Sequence, residues 1–239
     1  LYTSPDLQQW RYLNPLMVGD VLRQGVIWEC PNFFQLGDKW VLIISSHTGQ
    51  TINQVMYLVG EFRDHRFYPE YEGLFDRGPY YAPLSHVDEQ GRRLLWGWIP
   101  ETRSQKEQLD AGWSGVQAIP RVLTLDDKNR LQMAPVPELE QLRTEPSANC
   151  DLAHAPFQLP SLALDIEVSF NIQDEQRCGL RLQWDESGES LDIFYDPVMQ
   201  TLKVNNALRT IHDALQQTPD IDSVTGRQHR LDPGETLDL

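Results

Sequence analysis

The chain has 239 residues, enough for one large domain or two smaller ones, and 40% of its residues are hydrophobic and 23% charged. This composition is typical of a soluble globular protein, and no apolar stretch approaches the roughly 20 residues that a membrane helix needs. The formal net charge is −15. Because such a surface repels phosphate groups, we expect no nucleic acid and no membrane among its partners.

The chain contains three cysteines, Cys30, Cys150 and Cys178, which lie far apart and form no C-x-x-C pair. This spacing excludes a disulfide framework and a zinc knuckle, while one disulfide remains possible. It also favours a reducing compartment, so we expect a cytoplasmic protein, with secretion as the alternative. The six histidines show no metal-ligand spacing, and we expect no metal and no other cofactor. They are His47, His65, His86, His154, His212 and His229.

Strand signals dominate the first half of the chain. Four segments are rich in β-branched and aromatic residues and are bounded by Gly, Pro, Asn or Asp. They are residues 39–45, 54–62, 92–99 and 116–125. Helical periodicity is nearly absent from this region. Short strands joined by polar turns therefore predict an all-β sandwich, barrel or propeller.

The sequence changes character after residue 133. Pro135 and Pro137 precede the acidic Glu138, and the stretch ends on Arg143, which predicts a short helix. Residues 146–151 then have the composition of a linker. We place a domain boundary here.

The region beyond this linker alternates between apolar and polar residues, which predicts strands with one wet face and hence a β-sandwich. Residues 208–217 have a helix-like pattern that a long sandwich loop also produces. Residues 185–188 are typical of a hairpin turn. The alternating segments are residues 164–170, 180–184 and 201–204.

Glu29 lies in the sequence Trp-Glu-Cys-Pro at residues 28–31. Its apolar neighbours predict burial, and burial raises the pKa of a carboxyl group. A raised pKa suits a general acid that must keep its proton near neutral pH, as glycosidases require. The motif alone is weak evidence, because most glutamates at a strand entrance are solvated or hydrogen-bonded surface residues.

Aromatic residues form a second group of candidates. Tyr80 and Tyr81 are consecutive, and Trp96 and Trp98 flank Gly97 in a predicted strand. Trp96 and Trp98 therefore point to the same face. Exposed aromatic pairs offer flat surfaces for the apolar faces of sugars, although at least one of the two is more simply explained as a core residue. Gly97 would let a backbone or a ligand approach closely.

Seven segments, taken in order, resemble signatures of glycoside hydrolase family 32, which contains invertases, sucrose-6-phosphate hydrolases, inulinases and levanases. Residues 28–33 resemble W-E-C-P-D-F, with Asn32 where the family more often has Asp. Residues 80–83 resemble the end of F-D-x-G-x-x-F-Y-A-P. The segments are residues 1–10, 28–33, 75–76, 80–83, 92–101, 119–125 and 131–139.

The resemblance implies an all-β fold, a five-bladed β-propeller followed by a C-terminal β-sandwich. By this assignment residues 1–133 are the C-terminal part of the propeller, 134–150 a linker and 151–239 an incomplete sandwich. It also implies roles for four residues, and Tyr80 and Trp96 are the neighbouring alternatives to Tyr81 and Trp98. The four are Glu29 as general acid/base, Cys30 beside it in the substrate site, and Tyr81 and Trp98 as substrate-binding aromatics.

Two family segments are missing from the 239 residues. One is W-M-N-D-P-N-G, which holds the nucleophilic Asp, and the other is R-D-P, whose Asp grips fructosyl hydroxyls. Both precede the W-E-C-P segment in the family. We therefore expect the chain to be an internal fragment that is inactive alone.

The resemblance implies a retaining β-fructofuranosidase that hydrolyses sucrose or related β-fructosides. Its partner would be a small carbohydrate, namely sucrose, sucrose 6-phosphate or a fructan. Two alternatives share the same motifs. One is a carbohydrate-binding propeller without catalysis, and the other is a fructosyltransferase.

Overall fold

The computed structural model describes residues 1–47, 53–76, 79–101, 103–143, 165–171, 177–183, 190–205, 224–228 and 236–238. Most residues in these ranges lie in β-strands, so the expected all-β class is confirmed at that level. The chain divides into two compact units, one built on Leu1–Val136 and one on Pro137–Leu208 and Gly226–Leu239. No helix in the described ranges is long and apolar enough to cross a membrane.

Within its described residues, the first unit consists of strands and two short helices. The strands are β1 (Tyr2–Thr3), β2 (Arg11–Tyr12), β3 (Ile27–Leu36), β4 (Lys39–His47), β5 (Asn53–Arg63), β6 (Arg66–Leu74), β7 (Tyr81–Val87), β8 (Arg93–Ile99), β9 (Val116–Gln117), β10 (Arg121–Leu125) and β11 (Leu131–Pro135). The helices are α1 (Val21–Gln24) and α2 (Gln105–Ala111). Strands β1 and β2 pair with each other in a separate ribbon.

Strands β3 to β6 form an antiparallel sheet in chain order. Gly37 and Asp38 form the turn between β3 and β4, and Asp64 and His65 form the turn between β5 and β6. Asp64 and His65 have φ of 51° and 58°, the left-handed conformation that a two-residue type I′ hairpin turn requires. Strand β4 confirms the predicted strand 39–45 and extends it by two residues at its end. Strand β5 confirms the predicted strand 54–62 and extends it by one residue at each end.

A second sheet has the order β11-β10-β8-β7, with β9 paired to the end of β8. The single strand predicted over residues 116–125 is wrong, because β9 ends at Gln117 and β10 begins at Arg121. Pro120 lies in this gap and has no N–H to donate to a ladder. Its carbonyl accepts a hydrogen bond from the N–H of Val136 at 3.2 Å.

Helix α2 is absent from the sequence prediction because none of its residues is buried, so it shows no apolar stripe. Its ends define it instead. The Ser104 hydroxyl accepts from the Glu107 N–H while the Glu107 carboxylate accepts from the Ser104 N–H, which is a capping box. Gly112 ends the helix at φ 76°, where glycine avoids the strain of a Cβ.

Strands β3 and β7 are interrupted in the same way. Each has a register shift at an X-Pro pair, Cys30-Pro31 in β3 and Ala82-Pro83 in β7. Cys30 and Ala82 have φ of 47° and 49°, which costs roughly 1–2 kcal/mol for a residue with a Cβ. The extra residue moves the side-chain alternation by one, so it reverses the face on which the preceding residue lies.

The core of the first unit lies on both faces of the sheet β3–β6. One face packs against the second sheet, where Leu95 is fully buried. Two hydrogen bonds hold β7 against the first sheet: Ser85 Oγ donates to Asn32 Oδ1 at 2.5 Å, and the Ala82 N–H donates to Ser45 Oγ at 3.1 Å. The other face buries Leu42, Ile44, Met56, Leu58 and Phe67.

The described residues of the second unit form a 3-10 helix and two small sheets, and Tyr195 is buried. The sheet β13-β14-β15-β16 is antiparallel where its register is described, and β12 pairs with β17. The elements are the 3-10 helix Pro137–Leu142 and the strands β12 (Ser169–Asn171), β13 (Cys178–Gln183), β14 (Ser190–Asp196), β15 (Thr201–Asn205), β16 (Val224–Gln228) and β17 (Thr236–Asp238).

The predicted elements of this unit have mixed outcomes. Strand β13 confirms the strand predicted over 180–184 up to residue 183, the last one described there, and β15 confirms the strand 201–204. The 3-10 helix confirms the predicted short helix. The strand predicted over 164–170 is wrong for residues 165–168, because its partner β17 spans only three residues and pairs with Ser169–Asn171. The turn 185–188, the segment 208–217 and residues 144–150 of the linker lie outside the described residues. The domain boundaries at 133 and 150 stay a prediction.

Candidate active site

Glu29 stands directly before the Cys30-Pro31 bulge of β3. The two-residue turn between β3 and β4 would place Glu29 opposite Ser46 in an unbroken ladder. The bulge places it opposite Ser45 instead. Glu29 therefore lies on the face of β4 that carries Ser45 and, two residues further on, His47.

Three side chains meet at this point. The Tyr81 hydroxyl donates to Glu29 Oε2 at 2.7 Å. His47 Nε2 lies 2.8 Å from the same Oε2 and 2.7 Å from the Tyr81 hydroxyl oxygen. An ionised carboxylate can only accept, so the arrangement is satisfied when Nε2 carries a hydrogen and donates. Strands β3, β4 and β7 each contribute one member of this cluster.

These contacts hold the pKa of the Glu29 carboxyl below its ordinary value. The hydrogen bond from His47 is the larger cause and the one from Tyr81 the next, and burial opposes them only in part. The Glu29 side chain is 47% exposed. The expectation of a buried Glu29 with a raised pKa is therefore wrong for this structure, because hydrogen bonds to the ionised form outweigh desolvation.

Tyr81 stays protonated in this cluster. Burial, and after it the hydrogen bond to Glu29, raises the pKa of its hydroxyl well above the ordinary value. Cys30, a half-buried free cysteine, adds to this effect on Tyr81. The pKa of Glu29 itself is lowered by His47 and Tyr81.

Tyr80, the neighbour of Tyr81, points into the core. Its ring stacks on Phe75 with 5.5 Å between centroids, and the Arg121 guanidinium lies 4.6 Å from its ring centre. Burial raises the pKa of the Tyr80 hydroxyl to about 12. Of the two tyrosines, only Tyr81 reaches Glu29 among the described contacts.

Trp96 and Trp98 lie outside the core, with Trp96 half-buried and Trp98 47% exposed. Trp98 is paired with Tyr81 across β7 and β8. Gly97 serves packing, since a Cβ there would come within 2.2 Å of the Tyr80 ring. Both tryptophans border an open pocket of about 340 Å³ in the second sheet. Its lining residues are Ala82, Leu84, Trp96, Gly97, Trp98 and Gln117.

His47 is a site residue that the sequence patterns did not indicate. It was one of six scattered histidines without metal-ligand spacing. A signal did exist, because the Gly37-Asp38 turn fixes the β3–β4 register and brings His47 close to residues 27–29. Only the bulge at Cys30-Pro31, however, decides that Glu29 and not Trp28 faces it. Within the described ranges no group of three or more His, Cys, Asp or Glu side chains could hold a metal ion.

The fold and site together define a protein of antiparallel sheets that present a hydrogen-bonded glutamate at the start of one sheet. Residues 1–135 match the family description "Glycosyl hydrolases family 32 N-terminal domain". This match covers more than half of the chain, and the chain belongs to that family.

Individual relatives agree with this membership. The sucrose-6-phosphate hydrolase of Zymomonas mobilis is 29% identical over 216 residues, which cover 82% of this chain and 42% of that protein. The β-fructofuranosidase insoluble isoenzyme 4 of Oryza sativa is 31% identical over 207 residues, covering 72% and 34% respectively. The chain thus spans less than half the length of these curated relatives.

A solved structure resembles the fold. The sucrose-6-phosphate hydrolase from Lactobacillus gasseri superposes with a TM-score of 0.71 at 20% identity, over 99% of this chain and 49% of that one. At this identity the likeness concerns the fold alone.

Proposed function

We propose that the whole protein is a retaining β-fructofuranosidase in which Glu29 is the general acid/base. The observation that carries this proposal is the position of Glu29: its carboxylate stands at a bulge before a Cys-Pro pair, held by Tyr81 and His47, in a chain of family 32. The relatives by name act on sucrose 6-phosphate or on β-fructofuranosides. The substrate is therefore a small β-fructoside.

The fold part of the proposal is that residues 1–133 form the C-terminal part of a five-bladed propeller and residues 151–239 an incomplete sandwich. Two antiparallel sheets whose strands follow in chain order support it, because each has the form of a propeller blade. In each sheet the first strand, β3 or β7, carries a residue of the Glu29 cluster. The innermost strands of propeller blades approach one another around the axis.

The chemistry follows double displacement. The nucleophilic Asp of the family, which the resemblance places outside these 239 residues, forms a bond to C2 of the fructosyl unit. The bond between C2 and the glycosidic oxygen breaks, and that oxygen takes the proton of Glu29. A water molecule then attacks C2 and displaces the Asp, while Glu29 takes the proton of the water and fructose leaves.

The lowered pKa of Glu29 suits the second of these steps, in which the carboxylate acts as a base. In the first step Glu29 must hold a proton. A bound sugar removes water from the half-exposed carboxylate, and this desolvation raises the pKa of Glu29 toward the range that an acid needs. Substrate binding therefore shifts Glu29 from its base form toward its acid form.

Trp98 and Cys30 have supporting roles in the proposal. Trp98 is half-exposed and lies beside Tyr81 in the ladder, so its ring is available to the apolar face of a sugar. Cys30 holds the positive φ that sets the direction of Glu29.

The test is a hydrolysis assay of the whole protein on sucrose, sucrose 6-phosphate and a fructan. Release of fructose from one of them, lost in Glu29→Gln, supports the proposal. Binding without turnover on all three would favour a carbohydrate-binding propeller, and fructo-oligosaccharides at high sucrose would indicate a transferase. The 239-residue chain alone should release no glucose above its own Glu29→Gln variant.

A further inference from the structure

We propose that His47 is the positioning residue of Glu29: its imidazole fixes one carboxylate oxygen, Oε2, and leaves the other, Oε1, to exchange the proton with the substrate. The catalytic meaning of this proposal rests on the proposed function. The contact between His47 and Glu29, and its effect on the protonation of Glu29, do not depend on that function, because both concern only side chains of this chain.

The first support is the convergence of two donors on one oxygen. Both the His47 Nε2 and the Tyr81 hydroxyl lie within 2.8 Å of Glu29 Oε2. Among the described residues no donor is paired with Oε1. An oxygen that already accepts two hydrogen bonds is a poor site for a proton, so the acid form of Glu29 carries its hydrogen on Oε1.

The second support is the way the backbone holds His47. It is the last residue of β4, its carbonyl accepts from the Val26 N–H at 2.8 Å, and the next residue back, Ser46, donates to the Gln24 carbonyl. The turn before β3 is thereby tied to the end of β4. The imidazole is consequently presented from a fixed strand end, and is 31% exposed.

The third support is the direction of the electrostatic effect. Among the described residues, the titratable groups that act on Glu29 are His47 on β4 and Tyr81 on β7, and Cys30 on β3 acts in turn on Tyr81. Both the hydrogen bond and the charge of His47 favour the ionised form of Glu29.

The first experiment follows the Glu29 carboxyl directly by ¹³C NMR titration of the 239-residue chain, with the Glu29→Gln spectrum as the assignment. In His47→Ala the Glu29 titration midpoint should move to higher pH. In His47→Gln, which keeps a neutral N–H donor of similar reach, it should move less. His65→Gln removes a histidine from an exposed turn and should leave the midpoint in place. An unchanged midpoint in His47→Ala would overturn the proposal.

The second experiment is the pH profile of kcat/KM of the whole protein. The alkaline limb reports the loss of the acid proton, so His47→Ala should move that limb to higher pH, and His47→Gln less. A fall in rate by the same factor at every pH, with the limb unmoved, would show a purely structural role and contradict the proposal. If the NMR midpoint moves but no β-fructoside is hydrolysed, the proposed function fails while the positioning of Glu29 stands.

Discussion

Glu29 and Tyr81 stand at equivalent positions of two strands, and their side chains meet at 2.7 Å. Each precedes an X-Pro bulge in the first strand of its sheet, with φ of 47° at Cys30 and 49° at Ala82. Positive φ is uncommon for residues other than glycine, and here it occurs at two matched positions, one next to Glu29 and one next to Tyr81. The two bulges turn both side chains toward a common point.

Replacement of Glu29 by Gln tests the acid/base role in the whole protein. The variant should lose about 10²–10⁴-fold in kcat on sucrose, because neither protonation of the leaving oxygen nor activation of water remains. On a β-fructoside whose leaving group needs no protonation, the rate of the first step, cleavage of the glycosidic bond, should fall less in this variant. This comparison is made by steady-state and single-turnover kinetics.

Glu89→Gln is the matched control, since it makes the same chemical change on an exposed turn. Its activity should equal that of the parent. Equal losses on the two kinds of substrate in Glu29→Gln would contradict protonation of the leaving group by this residue.

Replacement of Tyr81 by Phe tests the pKa of Glu29. The hydroxyl stabilises the ionised carboxylate, so its loss should raise the pKa of Glu29. The acid form then persists to higher pH, and the alkaline limb of kcat/KM should move upward, with kcat at the optimum within about tenfold of the parent. A limb that moves downward or stays in place would contradict the hydrogen bond.

Tyr80→Phe provides the comparison at the adjacent position. The Tyr80 hydroxyl is buried and has no hydrogen-bond partner among the described residues. Its removal relieves a buried polar group, so the free energy of unfolding should change by less than about 1 kcal/mol or increase. The pH profile should be unaffected, because Tyr80 does not touch Glu29.

The sequence predicted several of the strands correctly, among them β4 and β5. It also indicated Glu29 and Tyr81 as site residues, which stays a prediction, but it did not predict the contacts that hold their side chains. Apolar alternation and turn residues determine β4, β5 and β8 locally, and the order of the motifs indicates the family. The exposure of Glu29 and its partnership with His47 depend on a one-residue shift at Cys30-Pro31, which no alternation pattern contains. Apolar neighbours such as Trp28 predicted burial, but after the shift Trp28 packs on the opposite face.

Replacement of Leu95 by Ala tests the packing that holds the second sheet against the first. Leu95 is fully buried in the cluster that joins the two sheets, so its truncation should lower the free energy of unfolding by about 2–5 kcal/mol. Leu84→Ala removes the same atoms from a side chain that is 57% exposed, and should cost less than about 1 kcal/mol. Urea denaturation of both variants gives the comparison, and similar losses would contradict the assigned core.

Replacement of Gly25 by Ala tests whether the turn before β3 positions His47. Gly25 has φ 81°, and a Cβ would lie 2.1 Å from Ser46 Oγ and 2.5 Å from the His47 carbonyl oxygen. Gly91 has φ 79° with no atom within 4 Å of a Cβ, so Gly91→Ala isolates the backbone strain of roughly 1–2 kcal/mol. Gly25→Ala should lower the free energy of unfolding more than Gly91→Ala does, because the end of β4 must also move to make room for the Cβ.

That movement has a consequence that stability alone does not report. If the end of β4 carries His47 away from Glu29, the Glu29 titration midpoint should rise in Gly25→Ala and stay unchanged in Gly91→Ala. NMR titration of the two variants decides between the outcomes. A rise in both would mean that Glu29 responds to general destabilisation, and a rise in neither would mean that the turn before β3 does not set the position of His47.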